Sequence, residues 1–354
     1  MDREKRDFSF QNYLGNALVF NSILFAFILL PLFIFATLQI ISLPTALYYL
    51  VPMFLLSQSL SGYKQKLWII QEKPIHNTLL EAGKPILNVI LSILFVFFIF
   101  QDWRGRIIGL FLVEIIILFI SLSYLFKEEK PVFKLNINYL KDLFFFGFPL
   151  IFHGVGLTLI GVSDKFLINS LIGLKEVGIY GVALSLSNIL IVFIMPIDKV
   201  LMPYIFKYLD NYTIINKKKL YSLFILNLIY LILIGFLITI GLNSFATYII
   251  GVNFSDSISL IPTLILAKIF YGLYRFSVRP LFYKKQTYLV SISTLISGAV
   301  GIIIQYYLIK NYNLIGAAWG YSFSNLLSFI LVFIFSFRLL TNIEKEKHEI
   351  GHIS

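Results

Sequence analysis

A few ionisable residues interrupt runs that are otherwise apolar, and these are the residues whose chemistry has to be explained. Lys268, in "LILAKIFYGLYRFSVRP", stands about ten residues from either end of such a run. Arg275 and Arg279 follow at steps of seven and eleven residues, which places them within about 20° of Lys268 on one helical face. Three cations in a column can replace the hydration of an anionic group through charge-assisted hydrogen bonds. The plainer alternative makes Arg275 and Arg279 interfacial anchors and lets Lys268 snorkel. Glu114, in "GLFLVEIIILF", has no cation within a turn of its own helix. It is the candidate carboxylate for coupling to protons or sodium, or else an interhelical hydrogen-bonding group in its protonated form.

"LIGVSDKFLIN" sets Asp164 beside Lys165 near one end of another apolar run. Adjacent helical residues point about 100° apart, so the two serve different surroundings rather than each other. Lys165 can snorkel to water while Asp164 turns inward. His153, eleven residues back on the face of Asp164 and about 16 Å away along the helix, extends that line. Three readings stay open for this group: a coupling or substrate path, an ion pair that closes a gate between lobes, or a rim anchor. Glu81 with Lys84 reads as a surface pair. Asp198 and Lys199 lie between Pro196 and Pro203, where the prolines can break the helix, and read as structural.

The elements that position these residues follow from composition. The chain has 354 residues, 58% hydrophobic and 13% charged, with mean hydropathy +0.86, too little polar surface to cover a water-soluble globule. Apolar runs of about 20 residues between charged clusters are the length at which a helix crosses hydrocarbon. Period-two alternation, the mark of a barrel, is missing. The expected fold is therefore an all-α polytopic membrane protein of about ten helices, centred at 14–36, 43–61, 84–101, 107–125, 145–163, 177–202, 221–242, 256–274, 287–308 and 315–337. Cysteine is absent, the four His show no ligand spacing, and no GxxxxGK[ST] loop occurs, so no metal, cofactor or direct ATP hydrolysis is expected. The N-terminus lacks a signal peptide's cleavage pattern.

Lys and Arg set the orientation. With a cytoplasmic N-terminus, only Arg104, Arg106, Lys165, Lys175 and Lys310 fall outside, Lys199 and Lys268 fall within spans, and the rest of the 29 lie inside. Both termini are expected in the cytoplasm. The net charge of +11 is then topological and needs no nucleic acid, though it attracts anionic headgroups.

The two halves show a weak parallel repeat. "GYKQKLWIIQEKPIHNTL" from Gly62 resembles "GLYRFSVRPLFYKKQTYL" from Gly272, and "RIIGLFLVE" around Gly109 resembles "NLIGAAWGY" around Gly316. Spans one to four then correspond to spans seven to ten. This divides the chain into an incomplete four-span lobe (1–126), a cytoplasmic linker (127–143), a six-span lobe (144–340) and a cytoplasmic tail (341–354).

"FGFPL" (146–150), "SDKFLI" (163–168), "GLKEVGIYGVALSLSNIL" (173–190), "LMPYIF" (201–206) and "LIGAAWGYSFSNLL" (314–327) occur in an order that resembles Wzx-type O-antigen and polysaccharide flippases. These form the polysaccharide branch of the multidrug, oligosaccharidyl-lipid and polysaccharide exporter superfamily. Two departures stand out: Lys165 replaces the usual Arg after the Asp, and the family's first two spans are missing. The resemblance implies two lobes around a cationic cavity, in the bacterial inner membrane, carrying an undecaprenyl-pyrophosphate-linked oligosaccharide outward by alternating access. It implies no enzyme activity. The column of Lys268, Arg275 and Arg279 would meet the pyrophosphate. Tyr271 and Tyr274 beside it would stack on sugar rings or simply belong to the interfacial aromatic belt. Lipid-linked oligosaccharide, membrane and other polysaccharide-assembly proteins are the implied partners. A cation-coupled small-molecule exporter, a truncated inactive relative, and a polysaccharide polymerase are the alternatives. The short outer loops argue against the last.

Overall fold

The computed structural model of the chain describes residues 3–37, 45–71, 73–210 and 212–351, and every regular element among them is helical. Helices α1 (Arg3–Thr37), α2 (Thr45–Ile70), α3 (Pro74–Phe95, prolonged by a π turn at Val96–Phe100) and α4 (Trp103–Glu128) are followed by α5 (Ile137–Leu171). Then come α6 (Leu174–Ser187), α7 (Ile189–Asp210), α8 (Ile214–Ile249), a 3₁₀ segment (Val252–Leu260), α9 (Ile261–Ser277), α10 (Arg279–Tyr283) and α11 (Thr287–Gly351). The chain forms two compact units, Met1–Phe144 and Phe145–Ser354.

The chain is an all-α polytopic membrane protein. Seven described helical stretches are long and apolar enough to cross a bilayer, and the last of them, Thr287–Thr341, is two arms joined at Asn313. Asn313 has a φ of 49°, a left-handed conformation that Asn tolerates better than most residues. The ten expected spans fall on helices, except that 43 and 44 lie outside the described residues and that Gln101 and Asn188 are turn positions. Helix ends follow local chemistry. Gln101 turns the chain with a φ of 55°, and the Asp102 side chain then caps α4 by accepting from the Arg104 amide at 2.8 Å. Gly173, at φ 146°, makes the reversal between α5 and α6.

Two expectations change. Pro196 and Pro203 do not break their helix: α7 runs through both, and the interruption falls at Asn188. The segment 127–143 is not a plain linker either, because α4 continues to Glu128 and α5 starts at Ile137. The stretch between them is fastened to α1. The Val132 amide donates to the Gln11 carbonyl at 3.0 Å. Asn16 donates to the Lys134 carbonyl at 2.8 Å and accepts from the Asn136 amide at 2.9 Å. A Cβ at Gly15 would sit 2.0 Å from the Val132 oxygen, so only glycine admits this approach.

Close backbone approach also builds two hairpins alike. On α4, Gly105 and Gly109 face the backbone of Phe95 and Ser92. On the second arm of α11, Gly316 faces the Leu308 backbone and Gly320 faces Gln305. Each is a small-xxx-small seam of the kind that lets membrane helices touch. By packing, the counterpart of Gly316 is Gly105, four residues earlier than the sequence match with Gly109.

Candidate functional site

The buried face of α5 is Gly156, Ile160, Asp164 and Ile168, a strict four-residue repeat. Asp164 is fully buried within the second unit. Its Oδ2 accepts from the Tyr180 hydroxyl of α6 at 2.7 Å, and its Oδ1 accepts from the Lys165 amide at 2.7 Å. Lys165 points away and is half-exposed. On α9, Lys268 is 5% exposed and donates to the Tyr321 hydroxyl of α11 at 2.8 Å, with its ammonium 4.9 Å from that ring's centroid. Asp164 lies within electrostatic reach of both Lys268 and Tyr321. Ile160, Ile168, Tyr180 and Tyr321 belong to one hydrophobic cluster with Leu264 and Ala267. The result is a carboxylate and an ammonium held in one apolar interior, each hydrogen-bonded to a neutral tyrosine. Among the described residues the two charges do not meet directly.

The expected cation column does not form as one unit. Helix α9 ends at Ser277, and Arg279 begins α10. Both arginines turn to Asp198 of α7: Arg275 donates from Nε at 2.9 Å and Nη2 at 2.5 Å, and Arg279 pairs from Nη2 at 2.5 Å. The reason is electrostatic, since two guanidiniums beside one buried carboxylate recover part of its desolvation cost. Arg275 also donates to the Tyr271 hydroxyl at 3.0 Å. Tyr274 is buried, with its ring 6.3 Å from His153 and 6.4 Å from Tyr271. Lys268 therefore stands apart from the arginine pair.

His153 faces Thr294 of α11, Nδ1 to Oγ1 at 3.1 Å. This contact is one step in a polar seam that sequence reasoning missed. Thr287 donates to the Phe146 carbonyl at 3.0 Å, Ser291 donates to that of Pro149, and Ser163 donates to Gln305 at 3.0 Å. Gly156 and Gly298 close the gap between them, since a Cβ on either would strike the facing helix. The readable signal was the run of Ser, Thr and Gly on one face of α11 in a chain otherwise rich in Ile, Leu and Phe.

In the first unit, Glu114 is 1% exposed and pairs with Lys84 of α3, while the Ser57 hydroxyl donates to its backbone carbonyl at 3.0 Å. Lys84, expected beside Glu81, thus reaches a carboxylate on another helix. Lys64, counted among the cations on the inner side, is fully buried and bridges Glu128 at 2.8 Å and Glu129 at 2.6 Å, with Gln71 also donating to Glu129 at 2.8 Å.

Three distant motifs converge on the buried tyrosine site: Asp164 lies in "SDKFLI", Tyr180 in "GLKEVGIYGVALSLSNIL" and Tyr321 in "LIGAAWGYSFSNLL". Residues 1–209 match the family described as polysaccharide biosynthesis protein. The chain belongs to that family. An uncharacterized membrane protein of Haemophilus influenzae is 27% identical over 245 residues, 66% of this chain and 60% of its own length. The chain thus spans under two thirds of that relative.

Among solved structures, a MATE P26A mutant superposes with a TM-score of 0.79 at 13% identity, covering 95% of this chain and 80% of its own. A MATE family transporter of the MOP superfamily in its outward-facing conformation gives 0.77 at 16%, covering 96% and 80%. A MOP superfamily transporter from Pyrococcus furiosus, reported with a binding pocket of reversed polarity, gives 0.78 at 13%, covering 94% and 79%. This polysaccharide biosynthesis family member therefore has the fold of MATE and MOP transporters.

Proposed function

We propose that the protein carries a lipid-linked oligosaccharide from the inner to the outer leaflet of the bacterial cytoplasmic membrane, by alternating access and without covalent chemistry. The observation that carries this reading is membership of a polysaccharide biosynthesis family on a transporter fold. Both termini lie in the cytoplasm, as the Lys and Arg distribution favours. Lys268 is the cation for the pyrophosphate: buried and held, among the described residues, by a neutral hydroxyl, it can exchange Tyr321 for a stronger, charged acceptor. Asp164 and Glu114 are the carboxylates for coupling.

Removing the protein from its cell and probing each leaflet of the extracted membrane tests this. Lipid-linked oligosaccharide should accumulate on the cytoplasmic side and return to normal when the 354-residue chain is restored. Lys268→Ala should insert normally and fail to restore export. Unchanged leaflet distribution would overturn the reading and favour the second one, a cation-coupled small-molecule exporter, which the buried carboxylates of Glu114 and Asp164 support. In that case Glu114→Gln should abolish the dependence of efflux on a proton or sodium gradient.

A further inference from the structure

The second unit carries one cation more than its inner ion pairs need. Asp198 of α7 takes two of them: Arg275, in the last turn of α9, and Arg279, at the start of α10. Asp198 and Arg279 are buried, and Arg275 is partly exposed. One cation would neutralise the carboxylate, and the second leaves this group of three with a net charge of +1. Asp210, the other carboxylate of α7, lies twelve residues on, about 18 Å along the helix, and accepts from Tyr283 at 3.0 Å. In the first unit the charges balance: Lys64 and Lys73 face Glu128 and Glu129, and Lys84 faces Glu114. An uncompensated cation inside a membrane protein is costly, and it is kept where a ligand uses it.

The donors suit an anion with more than one phosphoryl group. Asp198 spends both oxygens on fixing the two guanidiniums. Its Oδ2 takes Nε and Nη2 of Arg275, and its Oδ1 takes Nη2 of Arg279, which also reaches the Asp198 carbonyl at 3.4 Å. The Tyr271 hydroxyl takes Nη1 of Arg275 at 3.0 Å. A guanidinium has five N–H groups, so donors remain. Nε and Nη1 of Arg279 have no partner among the described residues, and the exposed edge of Arg275 opens the pair to the surface of the unit. Planar forks held in this way are pre-organised for phosphate oxygens, with little rotamer entropy left to lose. Along α9, Lys268 lies seven residues from Arg275, about 10 Å, and within about 20° on the same face. The helix therefore carries two cationic stations, one at its end and one deeper.

We propose that the arginine pair is the loading station for the pyrophosphate of the lipid-linked substrate, with Asp198 as the residue that positions the two forks. The pyrophosphate binds first at Arg275 and Arg279 and then passes to Lys268, where it replaces the Tyr321 hydroxyl. This rests on the flippase reading and adds a second site to it. A pyrophosphate, with charge on both phosphoryl groups, uses the excess cation better than a monophosphate does.

The test is isothermal titration calorimetry on the full chain in neutral detergent, with geranylgeranyl pyrophosphate and geranylgeranyl monophosphate as probes that share one lipid chain. The pyrophosphate should bind at least tenfold tighter. Arg275→Gln and Arg279→Gln should each shrink that preference at least fivefold. Either variant leaves one arginine paired with Asp198, so α7 stays fastened and the protein folds. Arg275→Lys, which keeps the charge and loses the fork, should shrink it at least threefold. Lys268→Ala should keep the preference while export fails, because loading precedes the deeper station. Equal binding of the two probes, a preference that survives both Gln variants, or one lost in Lys268→Ala alone would overturn the proposal. Inorganic pyrophosphate bound as tightly as the prenyl form would overturn the lipid as its source. If the leaflet distribution is unchanged in cells lacking the protein while the arginine-dependent preference holds, the station stands as a pyrophosphate site and the flippase reading falls.

Discussion

In the first unit the two most buried charges, Lys64 and Glu114, each meet an opposite charge from another helix, Glu128 and Glu129 for one and Lys84 for the other. In the second unit Asp164 and Lys268, buried as deeply, each meet a tyrosine hydroxyl instead. The surroundings differ too. Among the described residues, the first unit has one small apolar cluster, around Leu14, Leu18 and Leu125, and an apolar cavity of about 440 Å³. The second has four clusters and a seam of Ser, Thr and Gly. A direct ion pair in a low-dielectric interior is expensive to separate, because each partner left behind is an uncompensated charge. A charge held by a neutral hydroxyl gives up only one hydrogen bond when a better partner arrives. The Lys64 bridges of the first unit therefore act as staples, the tyrosine-held charges of the second are the ones a passing ion or headgroup captures most readily, and Glu114 can couple only by first giving up Lys84.

The largest expected effect breaks a staple. Lys64→Ala leaves Glu128 and Glu129 without their shared cation, and removal of one partner from a buried pair costs about 3–5 kcal/mol. Unfolding of the detergent-solubilised protein, followed by loss of helical signal, should show it. Tyr321→Phe sharpens the contrast. It keeps the aromatic face toward Lys268 and removes the acceptor, so the expected loss is smaller, about 1–3 kcal/mol. Tyr180→Phe should cost a similar amount through Asp164. If either tyrosine variant destabilised the protein more than Lys64→Ala, the division into staples and exchangeable charges would be wrong.

How much of this was legible in the sequence depended on whether the signal lay along one helix or between two. Span positions were readable because hydropathy is a property of consecutive residues, and Asp164 could be turned inward from its place in a single helix. Its partner Tyr180 sits on another helix, and no spacing rule names it. Lys84 and Glu114 are likewise on α3 and α4, so the sequence paired Lys84 with its near neighbour Glu81. Arg275 and Arg279 looked like a continuation of Lys268 because their spacing fits one helical face, although Pro280, at the start of α10, is a readable sign of the break at Val278. "KEEKP" read as a solvated linker, since a charge run shows polarity but not that Lys64 lies buried beneath it. The prolines of α7 misled in the opposite sense. Proline removes a hydrogen bond wherever it stands, but whether a helix breaks there depends on what packs around it.

The smallest effect concerns the strap between α4 and α5, which is held by neutral groups although it lies in the unit of staples. Asn16 is 1% exposed and fixes both the Lys134 carbonyl and the Asn136 amide. In Asn16→Ala those two backbone groups lose their partner, but residues 133–135 are exposed, so water can replace part of what is lost. The expected cost is about 1 kcal/mol, confined to the strap. Hydrogen exchange should show faster exchange at Val132 and Asn136 while the α2 and α4 amides around Lys64 keep their protection. The locality carries the meaning. If α2 and α4 loosened together with the strap, the Lys64 bridge would depend on Asn16, and the first unit would be one cooperative network. If they stayed protected, the ionic staple holds on its own, and the strap is a separate fastening that carries the chain from α4 into α5.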